Sequence, residues 1–193
     1  MATRTLEWGE QTRRAMVADD IRRHIVHLTI VSDEGYCAEC RQKGTPDRQT
    51  EEEDVFAGMY AAAGGDRGSL PAPTRSPFAY TTGLFERGLP EFAVVGLGPG
   101  DAARLLNAAA RRVARDRRPV LAEDRLYLRG VLVQVDELAN SGMIMLATHA
   151  YYDRSPLQPI PALQLTWSDR ASRFPWEDGY RGAPQAPPGT WRA

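Results

Sequence analysis

Apolar positions along the chain form short clusters separated by stretches rich in glycine, proline and charge. Between Glu10 and Arg23 most residues are charged, and Met16, Val17, Ile21 and the following Ile25 recur at a spacing that predicts an imperfect amphipathic helix. The β-branched run HLTIV, His27 to Val31, predicts a short strand. From Asp33 to Ser76 the pattern turns polar and glycine-rich, an excursion away from the core. Inside it Thr50 and Glu53 stand at capping-box spacing, Val55, Phe56, Met59 and Tyr60 share one side, and Gly64-Gly65 end the pattern. One short capped helix is expected there.

The next stretch, SPFAYTTGLFERGLPEFAVVGLG, holds two β-type runs around a turn with Gly88 and Pro90, and predicts a hairpin. The helix after it has the clearest periodicity in the chain. At about 100° per residue, Ala102, Leu105, Leu106, Ala109 and Val113 fall on one face and Arg104, Arg111, Arg115 and Arg118 on the other. RLYLRGVLVQVDE and GMIMLATHAYY then read as one strand each, separated by the turn-like residues 139–142; the second is apolar on both faces, as in a covered central strand. LQLTW reads as the last strand, and the residues from Pro184 onward have no period and read as a tail.

Adjacent strand runs with helices before and between them predict an α+β fold: a mostly antiparallel or mixed sheet covered by helices in a single compact domain. Its parts are an N-terminal helix and first strand (1–32), the polar excursion (33–76), the main body (77–183) and the tail (184–193). A length of 193 residues suffices for one core without metal or disulfide staples.

Charge narrows the function classes. The net charge is −1, so no overall field would recruit nucleic acid or an acidic membrane. The arginine stripe from Arg104 to Arg118 is read as a solvated helix face rather than a phosphate track. Lys43 is the only lysine and lies between Gln42 and Gly44, which removes a Walker-type phosphate loop and leaves one residue for any lysine chemistry. No run approaches the roughly 20 apolar residues of a membrane span, and the N-terminus lacks a signal-like apolar segment. A soluble, cytoplasmic protein with reduced cysteines is expected.

VVGLGPGDAARLL, Val94 to Leu106, superficially resembles a dinucleotide loop. The third-glycine position is Asp101, whose carboxylate would occupy the place of the phosphate, and Pro99 lacks the N–H such a loop uses. The stretch is therefore read as a strand-to-helix turn with Asp101 favouring the helix start. No cofactor is expected from it.

Few residues remain as chemistry. His24, His27, Cys37 and Cys40 are four zinc-type ligands within seventeen positions, but their order fits no recognised finger, and two surface histidines beside a loop CxxC is the preferred reading. His149 shares its proposed strand face with Met143, Met145, Ala147 and Tyr151, which predicts a hydrogen-bonded core histidine; the competing reading pairs it as a base with Glu91 or Asp169. No G-x-S-x-G or H-E-x-x-H motif is present. Trp167, Phe174, Trp176 and Tyr180 gather near the C-terminus as candidate anchors for a protein or small ligand, with Tyr80 and Thr81 as further candidates.

The segments PFAYTTGLFERGLPEFAVVGLGPGDAARLLNAAARRV and ALQLTWSDRASRFPWEDGY together resemble DUF4262, a bacterial and phage family of unknown function, over about residues 77–180. The resemblance implies a small α+β domain and no transferable activity. Its signature positions are Tyr80, Thr81, Gly83, Leu84, Pro90, Glu91, Trp167, Pro175 and Trp176. Phe85 and Arg87 stand where relatives often have histidine, so histidine chemistry does not carry over. The resulting expectation is an accessory domain that binds a protein or small ligand without catalysis, against an enzyme using His149 and a nearby carboxylate.

Overall fold

The structure, a computed structural model, describes residues 8–31, 77–116, 120–138 and 141–185. The helix expected around residues 50–65, together with Cys37 and Cys40, lies outside them. In chain order the elements are α1 (Trp8–His24), β1 (His27–Val31), β2 (Phe78–Thr82), a 3-10 turn (Phe85–Arg87), β3 (Glu91–Val95), α2 (Pro99–Asp116), β4 (Arg125–Leu128), β5 (Val131–Glu137), α3 (Ser141–Ile144), α4 (Leu146–Tyr151) and β6 (Ala162–Trp167).

The six strands form one sheet in the order β1-β2-β3-β6-β5-β4. Only β3 and β6 run parallel; the other neighbours are antiparallel. The β2–β3 hairpin forms as the sequence predicts, with Tyr80 opposite Ala93. LQLTW becomes β6, which enters the middle of the sheet, and all its residues but Trp167 are buried.

The α2 helix covers one face. Pro99 begins it, where a missing N–H costs nothing, and Asp101 sits in its first turn beside Arg104. Its apolar stripe, including Leu105, Leu106, Ala109 and Val113, packs with Phe92, Val94, Val133 and Leu165 into the main core. Each such leucine contributes about 1.5–3 kcal/mol by leaving water. Arg104, Arg111 and Arg115 are exposed on the other side, as the periodicity predicts. On the opposite face Tyr80, Ala93, Leu138, Met145 and Ala162 form a smaller cluster.

Two expectations are corrected. RLYLRGVLVQVDE is a hairpin, not one strand: Arg129 and Gly130 have φ of +53° and +87°, the left-handed pair that a tight two-residue turn requires. GMIMLATHAYY is not a strand but the short helices α3 and α4. A run apolar on every side suits a buried helix as well as a buried strand, and β6 already fills the central position. The hydroxyl of Ser141 donates to the Ile160 carbonyl and that of Tyr80 accepts the Ala147 N–H, fixing the helical pair to the strands' side.

The segment expected as a tail also enters the fold at its start. Gln185 is buried, and its side-chain amide accepts from the Trp167 N–H (2.9 Å) and donates to the Trp167 carbonyl (2.7 Å), pairing with that residue as a strand neighbour would. The assembly is one α+β domain built on a mixed sheet. No helix among the described residues is long and apolar enough to cross a membrane.

Candidate functional site

Glu91 opens β3 and is wholly buried, so its carboxylate needs donors. Four reach it. The Thr81 hydroxyl donates to Oε2 at 2.6 Å, the N–H groups of Gly83 and Phe85 donate to Oε1 at 2.8 and 3.0 Å, and the Tyr152 hydroxyl donates to Oε1 at 3.1 Å. The Thr81 oxygen in turn accepts the Phe92 N–H at 2.9 Å. Burial pushes the Glu91 carboxyl above its ordinary value, while Thr81, the two N–H groups and Tyr152 pull the other way. The Tyr152 phenol is pushed far up, by burial first and by the negative charge of Glu91 second.

Gly83 is required at this turn. Its φ is +133°, and a Cβ there would stand 2.8 Å from the Ile25 carbonyl oxygen at the end of α1. Thr81, Gly83, Leu84 and Glu91 are thus one brace: the carboxylate ties together the loop ends while Leu84 fills the core.

His149 lies on α4, not on a strand, and it is buried. Its Nδ1 is 3.1 Å from the Met145 carbonyl and its Nε2 accepts the Ile160 N–H at 3.3 Å, an arrangement met by a neutral ring protonated at Nδ1. Burial pushes its pKa down, the Met145 carbonyl opposes this, and the charge of Arg154 adds to the lowering. No hydrogen bond joins His149 to Glu91 or Asp169 among the described residues. Asp169 instead organises its own loop, accepting the N–H groups of Ala171, Arg173 and Arg181 at 2.8, 2.9 and 3.0 Å. The Arg173 N–H is the main cause that lowers its pKa.

The C-terminal aromatics divide. Phe174 is buried with Trp176 stacked on it at 4.9 Å, and Trp176 itself is 53% exposed. Trp167 donates its ring N–H to the Val95 carbonyl, and the Tyr180 hydroxyl donates to the Ala183 carbonyl. Tyr80 and Thr81 are buried. Trp167 and Asp169, with Arg170 and Arg181, line an open cavity of about 670 Å³. His27 is hydrogen-bonded to Asp20 at 2.7 Å and His24 is exposed. Among the described residues, no three metal-ligating side chains come together.

A second cavity, of about 630 Å³, opens between α1, the 3-10 turn and the end of α4, lined by Gln11, Arg14, Glu86, Tyr151 and Tyr152. Arg14 reaches over the Tyr151 ring, 6.0 Å from its centre, and donates to the Tyr151 carbonyl at 2.6 Å. The rings of Tyr151 and Tyr152 meet edge to face at 5.0 Å, and Tyr152 meets Phe85 in the same way at 5.1 Å. Arg154 then lies over Phe85 at 5.3 Å. It is placed there by the end of α4: Asp153 has φ +53°, its N–H bonds to the Ala150 carbonyl, and the Arg154 N–H bonds to the His149 carbonyl, a Schellman stop. Tyr152 therefore joins the cavity wall to the buried Glu91.

Sequence reasoning did not name Arg14, Tyr151, Tyr152 or Arg154 as site residues. The doubled tyrosine followed by arginine in YYDR was a usable signal, hidden because a strand reading sends Tyr151 and Tyr152 to opposite faces.

No curated protein and no solved structure matches the chain. The family model described as domain of unknown function (DUF4262) matches residues 66–181. That span contains the Thr81–Glu91 brace, α2, β6 and the Asp169 loop, and the chain belongs to the DUF4262 family.

Proposed function

We propose that the protein is an accessory binding domain whose ligand enters the cavity between α1 and α4 and leaves chemically unchanged. One contrast carries this reading. The three catalytic candidates read from the sequence are bonded within the fold, Glu91 and Asp169 by backbone N–H groups and His149 by backbone at both ring nitrogens. Arg14, Tyr151 and Tyr152, by contrast, line open space. A base must reach its substrate's proton, and the engagement of both His149 nitrogens with backbone favours the binding reading over the enzyme one.

The test is ligand-observed NMR of the purified protein against a mixed library of small polar compounds and short peptides. We expect binders that are recovered intact after prolonged incubation and that are lost in Tyr151→Ala with the fold retained. Turnover of a bound compound, or binders indifferent to Tyr151→Ala and Arg14→Ala, would overturn the proposal.

A further inference from the structure

Resting on that reading, we infer that the occupant of the α1–α4 cavity is an extended acidic segment of a partner protein, which meets Arg14, Tyr151 and Tyr152 in the cavity and continues past Phe85 to Arg154 outside its lining. Among the described residues neither arginine makes an ion pair, although this chain pairs Arg22, Arg23, Arg104, Arg112 and Arg115 with aspartates. The Nε of Arg154 is buried with no hydrogen-bond partner, which leaves an unmet donor on a guanidinium fixed against Phe85. Arg14 uses one N–H on the Tyr151 carbonyl. Arginine presents five donors in a fork suited to a carboxylate; the Arg154 Nε is enclosed, so capacity for one lies in the remaining N–H groups of Arg14 and the terminal nitrogens of Arg154.

Spacing favours a chain over a small anion. Arg14, Tyr151, Tyr152, Phe85 and Arg154 are in contact in that order, at 6.0, 5.0, 5.1 and 5.3 Å, so three aromatic rings connect the two cations. An extended strand places same-side residues roughly 6.5–7 Å apart, a comparable step. A segment with an acid for each arginine and apolar or aromatic residues between them uses both cations and the rings that connect them. Glu86, exposed beside the Tyr151 phenol, disfavours an acid in the middle and offers an acceptor to a backbone N–H there.

The experiment is selection from a displayed library of randomised nonapeptides, followed by affinity measurement of the selected sequences as synthetic peptides. We expect enrichment of sequences with two Asp or Glu residues flanking an apolar or aromatic pair. Arg14→Gln and Arg154→Gln should each weaken them roughly tenfold, the loss of about one charge-assisted hydrogen bond. Arg154→Glu should instead select peptides with Lys or Arg at one end, a gain that an unfolded variant could not produce. Selected peptides lacking acids, or acidic peptides unaffected by both glutamine variants, overturn the acidic-segment inference and leave the binding proposal standing. Failure of every peptide and every small polar compound to bind overturns both.

Discussion

Glu91 illustrates how a single buried residue can look catalytic and be structural. A buried carboxylate with a raised pKa near a cavity is a usual mark of an acid or base. Here its oxygens already accept from Thr81, Gly83, Phe85 and Tyr152. Glu91→Gln keeps the volume but turns one oxygen into an N–H₂ facing donors. We expect it to cost about 1–3 kcal/mol in urea unfolding, the penalty for unmet buried polar groups. Tyr152→Phe removes one neutral donor at the rim and should cost about 0.5–1.5 kcal/mol in the same assay. A loss for Tyr152→Phe as large as that for Glu91→Gln would mean that the brace hangs on the tyrosine rather than on the backbone donors.

The α2 helix, with one apolar face, was legible, and the run from Met143 to Tyr151, with none, was not. The α2 stripe admits a single period, so its buried set from Ala102 to Val113 follows from the pattern. The run from Met143 to Tyr151 is apolar all round, and periodicity cannot separate helix from strand there. The candidate site suffered with it, since Tyr152 and Glu91 are 61 positions apart and meet only if α4 is helical. Gln185 was hidden differently: a glutamine among prolines carries no period, and its role depends on Trp167 having a free backbone edge. Gly83 was visible only as a signature position of the family resemblance, while its need comes from α1 packing against it. Gly83→Ala combines a left-handed φ with a Cβ too near the Ile25 carbonyl, and we expect a loss of more than about 1 kcal/mol. Equilibrium unfolding checks this, with Gly88→Ala, at φ +70° but in open space, as the milder control.

For the whole molecule, two buried groups of opposite sign set how stability responds to pH. Glu91 has a folded pKa raised above its ordinary 4.5, so the folded chain holds its proton longer than the unfolded one. Its contribution is fully present below that ordinary value and is lost as pH rises through the folded value. His149 has a folded pKa lowered below its ordinary 6.5, so the unfolded chain takes up a proton first as pH falls. Stability is then lost as pH drops from about 6.5 toward the folded value and is restored on the way up. The two slopes oppose each other between the ordinary carboxylate and imidazole ranges and flatten the profile of the native protein there. Each single replacement should expose the other group. Glu91→Gln should unfold more easily at pH 5 than at pH 6.5, relative to the native protein's own change, and His149→Gln should shift in the reverse direction. Urea midpoints at half-unit pH steps measure both. If the two variants tilt the same way, at least one of these groups exchanges its proton as readily folded as unfolded, and the buried network around Glu91 and α4 must open to water in solution.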